Sequence, residues 1–182
     1  MQLGIALSAL AAGFAALSSL LSPTAAQTTR LTALAPIVPP SPVPAVRPLR
    51  LSDFPGRWIG TGELQFAGGV RDVLQCRITY FTSNETRLRQ SIRCQSSNLR
   101  LDIKTQIEDY PRGEITGEWN DRIYDIGGRI TGHIKGNAIR ASVSGRTMNA
   151  ALNVIVDGNQ QTIELVPQNS VIRSMRITLA RG

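Results

Sequence analysis

From Arg57 to Arg181, apolar and polar residues alternate almost without interruption, broken only by short turn-like segments. A period of two sends successive side chains to opposite faces of an extended chain, so the pattern predicts half-buried β-strands rather than helices. The clearest run places Leu99, Leu101, Ile103 and Ile107 on one face and Arg100, Asp102, Lys104, Gln106 and Glu108 on the other. The first strand, Arg57 to Phe66, sends Trp58, Gly60, Gly62, Leu64 and Phe66 the same way. The second and third carry Leu74, Cys76, Ile78 and Tyr80, then Leu88, Gln90, Ile92 and Cys94. After Leu51 no stretch has a helical repeat of useful length.

Turn lengths can be tested by parity. A two-residue loop pairs odd positions with even ones and a three-residue loop preserves parity, so each turn dictates which faces meet. A hairpin through Asn84, Glu85 and Thr86 sets Cys76 opposite Cys94, Ile78 opposite Ile92 and Tyr80 opposite Gln90. Pro111-Arg112-Gly113 suits a three-residue turn that places Ile107 opposite Gly117 and Thr105 opposite Trp119. Asp121-Arg122 as a two-residue turn sets Trp119 beside Tyr124. Gly136-Asn137 pairs Ile134 with Ile139 and Ile130 with Val143. Gly145-Arg146 brings Val143 to Met148, and Asp157-Gly158 brings Leu152 to Ile163. The last strand is irregular, since Val171, Ile172 and Arg173 do not alternate before Met175, Ile177 and Leu179.

About ten strands joined in this way form an all-β, antiparallel up-and-down meander. Left flat, such a sheet exposes two long edges, and closing it into a small barrel removes them; a β-sandwich is the alternative. Closure lays the end of the tenth strand beside the start of the first, which brings Arg181 near Trp58. The charged outer face excludes an outer-membrane barrel, whose outer surface must be apolar.

Leu3 to Leu21 carries no charge and is rich in Leu and Ala, and the small residues Thr24, Ala25 and Ala26 precede Gln27. This reads as a signal peptide over residues 1–26, with an uncleaved anchor as the alternative because 19 apolar residues nearly span a bilayer. Residues 27–55 hold Pro36, Pro39, Pro40, Pro42, Pro44, Pro48 and Pro55, which lack the N–H that helix interiors and central strands require. They read as a disordered linker, leaving residues 56–182 as the barrel domain. No further membrane span follows, so the expected location is the periplasm or the exterior. An exported chain with only Cys76 and Cys94 is expected to join them across the hairpin, two buried thiols being the alternative.

Phe54-Pro55-Gly56-Arg57-Trp58 resembles the Gly-x-Trp opening of lipocalins and the wider calycin group, which includes fatty-acid-binding and nitrobindin-like barrels. In lipocalins an arginine from near the barrel's end packs on that tryptophan and closes the floor; the resemblance implies this role for Arg181. It also implies an up-and-down barrel whose other end admits a small ligand. The chain departs from the group in having no helix between strands one and two, no helix after the barrel and no histidine placed to bind haem. Signal, proline-rich segment and compact barrel together resemble small exported proteins of Gram-negative bacteria.

The side chains offer little chemistry of the catalytic kind. His133, the only histidine, falls on the outer face, which is poor for a triad that needs a sheltered imidazole. Two opposed cysteines and one distant histidine compose no zinc site, and no cofactor motif is present. Asp102, Glu108, Glu114 and Glu118 all alternate outward. The expectation is therefore a non-enzymatic protein. Inside the barrel, Trp58, Tyr80, Gln90, Trp119 and Tyr124 combine apolar area with a few polar groups, as a small-ligand cavity requires, although a core filled by side chains fits the same residues.

The charge of +7 arises from 18 Arg and two Lys against 13 acidic residues. On the outer face of strands two and three, Arg77, Arg87, Arg89 and Arg93 converge, with Arg77 opposite Arg93. Like charges so placed can be neutralised by an anionic partner, here an anionic envelope component, as the alternative to a simply soluble arginine-rich surface. Nucleic acid is not expected as a partner, because only Phe81 interleaves and no recognition motif is present. The oligomeric state is not legible.

Overall fold

The structure, a computed structural model, describes residues 48–182; the expected signal peptide and most of the proline-rich segment lie outside the described residues. The alternation resolves into ten antiparallel strands: β1 (Gly56–Phe66), β2 (Arg71–Asn84), β3 (Arg87–Gln95), β4 (Arg100–Asp109), β5 (Glu114–Asp121), β6 (Ile126–Lys135), β7 (Ala138–Gly145), β8 (Asn149–Asp157), β9 (Gln160–Gln168) and β10 (Ile172–Arg181). Each strand pairs with its sequence neighbours, and β1 pairs with β10, so the sheet closes into a barrel and the sandwich alternative falls away. The fold is the calycin-like ten-stranded barrel that the alternation implied.

Parity sets the inside. Leu74, Cys76, Ile78 and Tyr80 on β2 are buried while Arg71, Val73, Gln75 and Arg77 between them are exposed. The hairpin register is the expected one, with Cys76 opposite Cys94, Ile78 opposite Ile92 and Tyr80 opposite Gln90. Cys76 and Cys94 form a buried disulfide with Cα atoms 4.2 Å apart. The Gly136-Asn137 turn also pairs Ile134 with Ile139 and Ile130 with Val143, and Pro111-Arg112-Gly113 sets Thr105 against Trp119.

Three turns differ from expectation, each by an even number of residues, so the faces are kept while the partners move. Trp119 pairs with Gly128 rather than Tyr124, because β5 turns through the four residues Arg122–Asp125. Asp121 causes this: its Oδ1 accepts hydrogen bonds from the Ile123 and Tyr124 amides at 2.7 and 3.1 Å, a side-chain-built turn that a two-residue loop cannot make. Val143 pairs with Ala150 rather than Met148, and Leu152 with Leu165 rather than Ile163. In the last case the loop residues are Gly158 and Asn159, since glycine takes the left-handed position, φ 57°. Irregularity at the start of β10 is a bulge: Gln65 faces Ser174 and Phe66 faces Ile172, leaving Arg173 as the extra residue.

The segment before β1 folds with the barrel. Leu49, Leu51 and Phe54, placed in the linker by the sequence reading, are buried members of the core. A single 3-10 turn, Leu51–Asp53, brings Leu51 and Phe54 under the barrel, and the Leu49 amide donates to the Gly136 carbonyl at 2.7 Å. Apolar residues among prolines thus mark the point where the chain docks. Because the strands simply alternate in direction, this plug and the loops after β2, β4, β6 and β8 share one end. The loops after β1, β3, β5, β7 and β9 share the other.

Candidate functional site

The plugged end is assembled around Trp58, which is fully buried. Its indole N–H donates to the Phe54 carbonyl at 3.0 Å, and Tyr80 meets it edge-on with ring centroids 6.5 Å apart. Phe54 stacks at a tilt on Tyr80 at 5.1 Å. Arg181 pairs across the closing seam with Trp58 and holds its guanidinium carbon 4.4 Å above the ring. The same guanidinium donates to the Pro55 carbonyl at 2.6 Å and the Asp53 carbonyl at 2.7 Å, tying the plug to the last strand. Trp58 and Arg181 therefore form the floor expected of a calycin-like barrel, and Trp58 lies beneath the interior space rather than on its wall.

Above the floor is an apolar cavity of 120 Å³. Tyr80, Gln90 and Trp119 line it as the sequence implied, with Ile103, Leu152 and Met175 among the residues completing the wall. Tyr124 does not line it. The Asp121 turn lifts Tyr124 onto the outer rim of the far end, where it is half exposed.

Polar groups in the wall satisfy one another. The Tyr80 hydroxyl and the Gln161 carboxamide lie 2.8 to 3.0 Å apart, and the Thr105 hydroxyl donates to the Gln90 carbonyl at 2.7 Å. Burial drives the Tyr80 phenol well above the ordinary range, with contacts from Gln161 and Gln90 acting weakly in the opposite direction. It stays a neutral hydroxyl at physiological pH. Thr105 lies on the wall opposite Trp119, and Gln161, which the sequence reading did not single out, is buried behind Tyr80 as its partner.

Trp119 owes its place to glycine. Its indole N–H donates to the Ser144 carbonyl at 3.2 Å across the backbone of β6 and β7. A Cβ on Gly145 would come within 3.1 Å of the Trp119 ring, and one on Gly128 would run into the Ser144 carbonyl. The absence of a side chain at Gly145 thus leaves room for the Trp119 ring.

The outer arginines divide. Arg87 is bound to Glu108, its Nε 2.8 Å and its Nη2 2.6 Å from Oε1. Arg93 shares Asp102 with Lys104 and Arg122 at 3.8 to 4.0 Å. Arg77 faces Arg93 across the strands, and Arg89 stands beside Phe81 and Lys104 along a depression of 980 Å³. That depression is larger than the interior cavity but lies open to water, so filling it removes less apolar surface from solvent. The expected cluster of four therefore has two members already neutralised or shared. His133 is exposed on the outer face.

No known protein family matches the chain, and no curated protein matches it in sequence. Solved structures do match. Rv2717c from M. tuberculosis aligns over 72% of this chain and 94% of its own with a TM-score of 0.59 and 11% identity. The S-type phycobiliprotein lyase CPES from Guillardia theta aligns over 74% of this chain and 93% of its own, with a TM-score of 0.55 and 11% identity. At such identities the likeness is one of fold, and it agrees with the closed ten-stranded barrel.

Proposed function

We propose that this calycin-like barrel is an exported, non-enzymatic protein that binds a small apolar ligand, entering at the end opposite Trp58. The observation that supports this most is the 120 Å³ cavity, apolar but for polar groups that already satisfy one another. A ligand needing several hydrogen bonds would find few free partners there. Drug-sized ligands occupy roughly 300–1,000 Å³, whereas an apolar cavity of about 150 Å³ takes benzene, so the resting interior suits a small hydrocarbon group or the end of an alkyl chain. Met148 and Met175 on the wall are unbranched and flexible, and can yield to a longer chain.

Export is supported by the disulfide, which persists in oxidising compartments, and by the leader-like composition of residues 1–26. The non-enzymatic reading rests on the outward, solvated placement of His133, Glu114 and Glu118. Fold alone does not decide it, since a neighbour of similar fold is named a lyase.

Calorimetric titration with straight-chain alcohols of increasing length tests the reading. Saturable binding is expected, tightening by about fourfold per methylene until the cavity is full, as burial of each CH₂ adds about 0.8 kcal/mol. Leu165→Phe, which fills the cavity, is expected to remove binding while the far-ultraviolet spectrum is kept. Binding that is absent in the wild type, or unchanged in Leu165→Phe, would sink the proposal.

A further inference from the structure

The end of the barrel opposite the plug repeats one chemical theme in all five of its loops. Val70 precedes Arg71 after β1, and Leu99 precedes Arg100 after β3. Arg122 precedes Ile123 and Tyr124 after β5, Arg146 comes two residues before Met148 after β7, and Val171 comes two before Arg173 after β9. Each loop thus sets an apolar side chain beside a guanidinium. Three of the loops leave their apolar residues exposed, Val171 by 72%, Val70 by 63% and Ile123 and Tyr124 by about half, while Leu99 and Met148 are partly buried against the core. Val70 and Val171 are brought together, since the Phe66 amide donates to the Val70 carbonyl and the Ala67 amide to the Val171 carbonyl.

The plugged end has no such pattern. Its loops carry Glu85 and Thr86, Gly136 and Asn137, and Gly158 and Asn159, and only the loop after β4, with exposed Tyr110 two residues before Arg112, has an apolar and cationic pair. Of the open-end arginines, Arg71 lies 3.5 Å from Glu63 and Arg122 shares Asp102, whereas Arg100, Arg146 and Arg173 make no ion pair among the described residues. Isolated exposed apolar residues need no explanation, but exposed apolar residues in three loops together with arginines in all five form, at one mouth, a surface with two complementary attractions. Exposed valine and tyrosine favour the headgroup boundary of a bilayer, and arginine favours anionic headgroups.

We propose that the open end docks the barrel, mouth down, on an anionic phospholipid surface. Resting on the interior-ligand reading, this identifies the bilayer as the place where the apolar ligand is taken up or left. Partly exposed Phe66, Ile126 and Ile172 lie between the loop tips and the cavity, so an alkyl chain passing inward meets apolar surface throughout.

The test uses the full chain with one added thiol, either Val171→Cys at the open end or Asn159→Cys at the plugged end. Cys76 and Cys94 are joined and buried, so the new thiol alone takes an environment-sensitive fluorophore. Leu3 to Leu21 can hold the chain to a membrane by itself, so the position of the response matters rather than total binding. With phosphatidylcholine vesicles containing phosphatidylglycerol, a blue shift with quenching by lipid-borne quenchers is expected at position 171 and not at 159. Arg146→Gln with Arg173→Gln is expected to weaken that response roughly 20-fold, and added salt to weaken it further. Equal responses at both positions, none at either, or the same response on pure phosphatidylcholine would overturn the proposal. Alcohol binding measured without vesicles is independent: its loss overturns the interior reading, and its retention alongside absent docking overturns only this one.

Discussion

The two ends of the barrel are closed by the same number of strands yet solve opposite problems. At the plugged end, Leu51 and Phe54 slide beneath the sheet, Trp58 is shut in, and Arg181 fastens plug to seam through two backbone carbonyls and the indole face. At the open end, Val70 and Val171 remain in water and the wall residues behind them are only partly covered. Stability is concentrated where polar groups are satisfied and rings are packed. Recognition belongs where apolar surface is left unsatisfied, because only exposed surface can be covered by a partner.

Three measurements can break that division. The largest effect is expected from Trp58→Ala, which empties a fully buried site and removes both the Arg181 contact and the hydrogen bond to Phe54. A loss of about 4 kcal/mol is expected by urea unfolding with unchanged slope; a loss below about 1 kcal/mol would mean the floor is not where the fold is held.

A smaller effect concerns Tyr80 at the same end. Its folded pKa lies above the ordinary phenol value of 10.0, so the stability it contributes is complete below that value. Above it, the unfolded phenol ionises while the folded one is held neutral, and stability falls by up to about 1.4 kcal/mol per pH unit. Tyr80→Phe should flatten the alkaline limb of a melting-temperature profile by this amount. An unchanged limb would show that Tyr80 titrates freely.

The smallest effect is expected at the open end. Val70→Ser with Val171→Ser should alter unfolding free energy by no more than about 0.5 kcal/mol, since neither side chain packs in the core. A substantially larger loss would show that the rim is structural and would erase the contrast between the ends.

Much of this fold is legible in the chain because parity is a robust signal. Alternation determines the inner and outer faces, and the turns at Glu85-Thr86, Pro111-Arg112-Gly113 and Gly136-Asn137 carry enough local chemistry to determine register. The Cys76–Cys94 bond follows from the first of those registers, whereas the meeting of Trp58 with Arg181 follows only once β10 closes on β1. Where a side chain distant from the loop tip builds the turn, as Asp121 does, local reading places the turn too early. Tyr124 was assigned to the interior for that reason, although it stands on the rim.

The candidate site was legible only in part. Tyr80, Gln90 and Trp119 sit on inward positions and do reach the cavity, but the free volume among them depends on how every ring is laid. Trp119 seated against Gly145 is one such decision, and Leu51 and Phe54 folding under the floor is another.

By itself the sequence determined an all-β chain, the identity of its two faces and the facing of Cys76 and Cys94, because strand periodicity and hairpin parity are local properties. Tertiary structure alone decided which end is plugged, how small the interior is, and that Val70, Ile123, Tyr124 and Val171 stand exposed at one end. Those, like the closure of β1 on β10, depend on bringing distant residues to the same place, and no local pattern records that distance.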